Sequence, residues 1–193
     1  MVSNPKPTIT VICSTIGRAS LRIMLDSWME QRLEEEDRFL LFGDDWGPPE
    51  WIGKFPRVEF ARRPKSKFYG HRHLVEGMMK VETSHYTFMG DDDKYLPWAF
   101  ADVRKVLCEV PVLTGIIVPS MEQIPYLVGA GRRWPCIGGW QMWMPRDIKL
   151  MDFSMASDAE AWRNYKANGG EHIERFDLAP VFYKGASGQV GVI

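Results

Sequence analysis

Asp91-Asp92-Asp93 places three consecutive carboxylates directly after the apolar run His85-Tyr86-Thr87-Phe88-Met89 and before Lys94-Tyr95-Leu96-Pro97, where a strand reads as ending. Side chains of a strand alternate faces, so a chain that stays extended points Asp91 and Asp93 the same way, and the two can share one oxygen-loving cation. Mg2+ or Mn2+ carrying phosphates suits such a pair, because Mg2+ is usually held by one or two carboxylates together with substrate phosphates. Asp is also a common turn residue, so the tripeptide alone fits a solvated acidic turn equally well.

Two further strand ends carry polar groups. Ser14-Thr15 follows the run Thr8-Ile9-Thr10-Val11-Ile12-Cys13, and Asp44-Asp45 follows Arg38-Phe39-Leu40-Leu41-Phe42-Gly43. In an open parallel sheet, ligands bind outside the carboxyl ends of the strands, so these groups converge with the aspartate triplet on one crevice. A single acid at a strand end is most often structural. The three sites together point to a ligand.

The elements that must position these groups follow from periodicity. Thr8 to Ser14 is β-branched and apolar without alternation, as in a strand buried on both faces. Leu21, Met24, Leu25, Trp28, Met29 and Leu33 recur at helical spacing, and Glu34-Glu35-Glu36-Asp37 closes that helix in solvent. Arg38–Phe42 is a second strand and Arg57–Ala61 a third; a helix spans Gly70–Val81, and the run before Asp91 is a fourth strand. Pro97 opens a helix carrying Phe100, Val103, Val106 and Leu107, and Val112–Val118 is another buried strand. Strand, helix, strand in repetition implies a mostly parallel α/β sheet flanked by helices. Residues 119–156 are less regular, with strand candidates at Ile124–Val128 and Trp140–Met144 and a loop over Gly129–Pro135. Ser157 with Glu160 is a capping-box signature for a last helix that stops at Gly169-Gly170.

With 193 residues the chain suits one domain, here read as a regular α/β half, 1–118, and a less regular half, 119–193. Apolar content of 45% and charged content of 25% are those of a soluble globular protein. A net charge of −1 exerts no global pull on nucleic acid or acidic membranes, although Arg62-Arg63-Pro64-Lys65-Ser66-Lys67 and His71-Arg72-His73 form a basic stretch that either steers phosphates or forms an exposed solubilising loop. Cys13, Cys108 and Cys136 lack disulfide or zinc spacing, which fits a reducing, cytoplasmic setting. The start carries no signal-peptide pattern, and no apolar run is long enough to span a membrane.

In order along the chain, these segments resemble the GT-A-fold, family-2-like glycosyltransferases. Thr8 to Arg18 is similar to that family's opening strand and the loop that embraces the nucleotide, Ser27-Trp28-Met29-Glu30-Gln31 to its S-x-x-x-Q helix end, and Gly43-Asp44-Asp45 to the acidic pair on base and ribose. Tyr69-Gly70-His71-Arg72-His73 resembles the glycine-then-Arg-Asn element, with His73 in the place of Asn. Met89 to Pro97 is close to the D-x-D segment, and Ser157-Asp158-Ala159-Glu160 to the late acidic motif. The interval of 65 residues from Asp93 to Asp158 is short for the family, and no histidine stands beside Tyr183-Lys184-Gly185 to add a third metal ligand.

The resemblance implies a metal-dependent, inverting transfer of a sugar from a nucleotide diphosphate donor to a hydroxyl acceptor, whether glycan, small molecule or modified DNA. It implies Mn2+ or Mg2+ on Asp91 and Asp93, donor contacts from Thr15, Arg18, Asp44, Asp45, Arg72, Asp91 and Asp92, and Asp158 as the base. The small size fits a minimal, virus-encoded version, with Arg62 to Lys67 and Arg132-Arg133 on DNA phosphates. Arg18 and Arg72 are equally suited to pairing with neighbouring carboxylates. Trp46 is a candidate cover for the base, and Trp134, Trp140 or Trp143 for an acceptor ring, against the ordinary alternative of core packing. Two rivals remain: a nucleotidyltransferase, disfavoured by the single glycine in Ser14-Thr15-Ile16-Gly17-Arg18, and a non-enzymatic sugar-binding module on the same scaffold.

Overall fold

A computed structural model describes residues 6–66, 70–117, 123–124, 139–152 and 158–182, without the side chains of residues 123, 124, 140, 158 and 159. In chain order the elements are β1 (Ile9–Thr15), α1 (Leu21–Met29), β2 (Arg38–Asp44), β3 (Val58–Arg63), α2 (His71–Met79), β4 (His85–Phe88), β5 (Lys94–Tyr95), α3 (Ala99–Val103), β6 (Val112–Thr114), β7 (Ile116–Ile117), β8 (Gln123–Ile124), β9 (Met142–Pro145), α4 (Asp158–Ala167), β10 (Ile173–Arg175) and β11 (Val181–Phe182). No described helix is long and apolar enough to cross a membrane.

Seven strands form one sheet in the order β10-β6-β9-β4-β1-β2-β3. All its pairings are parallel except those of β9, which runs against β4 and β6. The carboxyl ends of β1, β2 and β4 therefore share one edge, as the sequence predicts. β1 is buried on both faces: Val11 and Cys13 pack toward α1 and α3 with Trp28 and Phe100, while Ile12 packs toward α2 and α4 with Met78 and Trp162. That two-sided burial is why its sequence shows no polar alternation.

Four strands form a second sheet, β5-β11-β7-β8. Its existence is not readable from the run Val112–Val118, which reads as one strand. The run divides at Gly115, whose N–H donates to Leu178 O at 2.7 Å, so β6 stays in the large sheet while β7 pairs with β11. Two residues per strand are too few to give a periodic signal.

The first helix also ends earlier than predicted, at Met29. The acidic run beyond it is not simply solvated. Asp37 is fully buried: Oδ1 accepts from Ile9 N at 2.8 Å, Oδ2 accepts from Glu34 N at 2.7 Å, and Arg104 pairs with the same carboxylate. A buried carboxylate needs such partners to offset its desolvation, and these tie the start of β1 to the loop before β2 and to the segment after α3.

Candidate active site

The chain does not stay extended after β4. Asp93 N approaches Gly90 O at 3.4 Å, closing a turn whose two corners are Asp91 and Asp92. The acids on the crevice wall are therefore Asp91 and Asp92, adjacent in sequence, instead of the alternating Asp91 and Asp93 of an extended strand. The turn is not a solvated one: Asp91 is 6% exposed and Asp93 3%. The Asp93 carboxylate packs back against Gly90, where a side chain would displace it.

Asp91 is held from β1. Thr15 Oγ1 donates to Asp91 Oδ2 at 2.6 Å and itself accepts from Gly17 N at 2.9 Å. Arg18 bridges the two wall carboxylates, with Nη1 at 3.2 Å from Asp91 Oδ1 and 2.9 Å from Asp92 Oδ2. Burial pushes the Asp91 carboxyl pKa up, against the opposing pull of the Thr15 hydrogen bond and the Arg18 charge. Beneath the turn, burial and the three aspartates together hold the Cys13 thiol well above its ordinary range. The loop between β1 and α1 is shaped by Gly17, at φ +84°, and Trp46 lies so close over it that a Cβ would collide with the indole. Trp46 thus packs on this loop and, edge-on, against Phe60.

Thr15, Arg18, Asp91 and Asp92 line a cavity of about 210 Å³ together with Ser14 and Asp44. Asp44 Oδ1 accepts from Ser66 N at 2.5 Å and lies 3.9 Å from His73 Nδ1. His73 Nδ1 and Ser14 Oγ share a hydrogen bond of 3.2 Å, and the His73 ring stacks on Phe42. Gly70, at φ +80°, makes this possible: a Cβ there would strike Ser14 Oγ, so only glycine lets the start of α2 sit against the end of β1. His73, read in the sequence as a departure, is thus buried under the crevice between Ser14 and Asp44.

Other candidate residues fall elsewhere. Asp45 is exposed, adopts φ 54° and pairs with Arg62 at 3.3 Å, outside the cavity lining. Arg72 is exposed on α2 and does not line the cavity. Arg62 and Arg63 belong to β3 and not to a loop, and Arg63 is committed to Glu76 through contacts of 2.7 and 2.5 Å. Trp143 is fully buried core, and His85 is packed, with Nε2 bonded to Cys108 O at 2.9 Å. Asp158 is the first residue of α4, but its side chain lies outside the described residues, as do Ser157, Tyr69, Arg132-Arg133-Trp134 and Tyr183-Lys184-Gly185.

The S-x-x-x-Q element has a role that its sequence does not disclose. Ser27 Oγ accepts from Tyr95 N at 3.0 Å, Gln31 Nε2 donates to Leu96 O at 3.1 Å, and Gln31 Oε1 accepts from Phe100 N at 3.2 Å. The end of α1 thereby brackets the whole segment from the aspartate turn into α3. Only a hydrogen-bonding residue type at buried helical spacing hints at it.

Among the described residues no group of three or more His, Cys, Asp or Glu side chains is arranged to hold a metal ion. Asp91 and Asp92 nevertheless fit a shared one. They are hard oxygen donors on the cavity wall, and the guanidinium bridging them marks a seat for positive charge.

No protein-family model matches the chain, and no curated protein matches it in sequence. Solved structures do match in shape. S. aureus TarS 1-349 superposes with a TM-score of 0.70 at 12% identity over 92% of this chain. Its complex with UDP-GlcNAc gives 0.73 over 95% of this chain, also at 12% identity, and its complex with UDP gives 0.68 over 92%.

The fold is GT-A-like. The chain covers about 60% of the TarS 1-349 structure and 37% of the longer TarS structure. In a GT-A-like sheet the aspartate turn and the Thr15–Arg18 loop lie at the carboxyl edge, where an open α/β sheet receives its ligand.

Proposed function

We propose that the crevice binds a nucleotide diphosphate sugar and that the protein is a metal-dependent, inverting glycosyltransferase. The observation that carries this reading is the Thr15–Asp91–Arg18–Asp92 cluster, in which one wall carboxylate is held by a buried hydroxyl and both are bridged by one cation at the edge of a GT-A-like sheet. TarS, similar in fold, has been solved with UDP-GlcNAc and with UDP.

Asp91 and Asp92 would hold Mg2+ or Mn2+ jointly with the donor's phosphates, with Asp93 as their buried neighbour. The ion, when bound, neutralises charge that builds up on the leaving diphosphate. Arg18, half-exposed beside the same carboxylates, is placed to shift onto a phosphate oxygen once they carry another cation. Thr15 keeps Asp91 oriented throughout, and Asp44 meets the nucleoside end of the donor from the β2 side of the crevice.

The acceptor hydroxyl oxygen attacks the anomeric carbon as the bond from that carbon to the diphosphate oxygen breaks. The nucleoside diphosphate leaves with the electron pair, and the hydroxyl proton passes to Asp158. One displacement inverts the configuration. Asp158 is the first residue of α4, and a helix N-terminus favours a carboxylate over its neutral acid, as a base requires. The acceptor is a hydroxyl-bearing glycan or small molecule. Duplex DNA is disfavoured by the pairing of Arg62 and Arg63 with Asp45 and Glu76.

Incubation with UDP-, GDP- and dTDP-sugars plus Mn2+ tests the reading. Release of nucleoside diphosphate supports it, and pyrophosphate release would assign nucleotidyl transfer instead. Asp158→Asn should keep donor binding and lose about 100-fold or more in turnover.

A further inference from the structure

A second cavity, of about 130 Å³, opens where α3 meets the segment leading from β10 to β11. Among the described residues it shares no lining with the aspartate crevice. Val103, Ile117 and Leu178 give it an apolar floor, Asp102 and Asp177 stand on its wall, and Trp98 lies at its side with 53% of its surface exposed. An indole this open, directly before a helix, covers no core of its own.

The chemistry of the lining narrows the ligand. Among the described residues no lysine, arginine or histidine lines the cavity, so a phosphate or carboxylate ligand would meet no cation of the lining. Each acid already carries a cation: Lys105 Nζ is 2.6 Å from Asp102 Oδ1, and Arg175 contacts both oxygens of Asp177 at 2.8 and 2.6 Å. A cationic ligand would therefore find little net negative charge. A carboxylate paired in this way keeps lone pairs that accept from hydroxyls. An apolar floor, an exposed indole face and acceptor oxygens on the wall match a pyranose ring, which has one C–H face and a rim of hydroxyls.

We propose that this cavity binds one neutral pyranose unit, stacked on Trp98 with its hydroxyls on Asp102 and Asp177. The site is separate from the donor crevice and stands whether or not transfer occurs there. Its position gives it a use: α3 begins six residues after Asp93, and the Gln31 bracket ties the two together, so a glycan gripped here is held one short helix away from the aspartate turn.

The test is saturation-transfer difference NMR on the full chain, with methyl β-glucopyranoside, methyl β-galactopyranoside and N-acetylglucosamine as probes and tetramethylammonium as the cationic comparator. At least one saccharide should bind, with a Kd on the order of 1 mM, and excess UDP should not displace it. Trp98→Ala should weaken that signal about tenfold and Trp98→Phe should restore most of it, because stacking needs an aromatic face and not the indole N–H. Trp98 is exposed, so the Ala variant should keep the wild-type melting temperature, which shows that any loss is local. Absence of a saccharide signal from the wild type, a signal unchanged in Trp98→Ala, displacement by UDP, or preferential binding of tetramethylammonium would each overturn the assignment. None of these outcomes depends on nucleotide release, so failure here is distinguishable from failure of the transferase reading.

Discussion

Thr15 and Asp91 are joined by a buried hydrogen bond of 2.6 Å that links the end of β1 to the turn after β4. The same hydroxyl accepts from Gly17 N, so it fixes the carboxylate and the loop that carries Arg18 in one contact. Thr15→Val keeps the shape and removes the donor, leaving a buried carboxylate oxygen short of a partner at a cost of about 1–3 kcal/mol. UDP binding in the presence of Mn2+, measured by titration calorimetry, should weaken about tenfold, whereas Thr15→Ser should bind nearly as the wild type does. A Val variant with unchanged affinity would remove Thr15 from the positioning of Asp91.

Arg18 sits between two carboxylates that repel each other without it. Arg18→Gln should therefore lower the melting temperature in metal-free, low-salt buffer by the equivalent of about 1 kcal/mol, allowing for the half-exposed guanidinium. Mn2+ should then raise the melting temperature of Arg18→Gln more than that of the wild type, because in the variant the ion no longer competes with a resident cation and stabilises by mass action. Equal shifts in the two proteins would contradict a shared seat.

Asp91 carries the opposite liability. Its carboxyl pKa is raised by burial, so the ionised form opposes folding at neutral pH. Asp91→Asn keeps an acceptor for Thr15 and removes the charge. The variant should melt higher than the wild type at pH 7 and lose UDP binding with Mn2+, a trade of stability against function expected at a site built for a cation.

The parallel core and the polar strand ends are legible in the sequence because each depends on local pattern. β1 reads as doubly buried from its unbroken apolar run, and Asp44 and the aspartate triplet stand where the runs stop. What depends on non-local contacts is not legible. The turn at Gly90–Asp93 replaces Asp93 with Asp92 on the crevice wall, and three consecutive identical residues carry no signal of which two will face a ligand. Asp37 reads as surface because it closes an acidic run, yet its partners Ile9 and Arg104 are distant in sequence. The division of Val112–Val118 between two sheets is decided by Leu178, which no periodicity can foresee.

Gln31 shows the same limit. It accepts from Phe100 N and adds a second donor to Leu96 O, which also receives Ala99 N at 2.9 Å, from a helix end 65 residues away in sequence from Leu96. Gln31→Leu should destabilise the protein by about 1–3 kcal/mol, chiefly by leaving Phe100 N unpaired. Chemical denaturation would read the loss, and UDP affinity should fall with it because the aspartate turn is anchored through the same segment. Gln31→Glu, which keeps an acceptor for Phe100 N and loses the donor to Leu96 O, should fall between the two.

Glu76 provides the acid-range test. It receives Arg63 at 2.7 and 2.5 Å and Lys80 at 2.6 Å, tying β3 to α2, and the Arg63 hydrogen bonds lead in lowering its pKa from 4.5 to about 2. A carboxyl that is more acidic when folded adds stability wherever it is ionised in both states, above about pH 4.5, and that contribution disappears as the pH falls toward 2. With its side chain 29% exposed, the pair is partly screened, so the effect should be no more than about 1 kcal/mol. Glu76→Gln should melt below the wild type at pH 7 and converge with it on acidification, and high salt should narrow the gap at pH 7. Parallel melting curves from neutral pH down to the acid limit would show that the Arg63–Glu76–Lys80 cluster contributes nothing to holding α2 against the sheet.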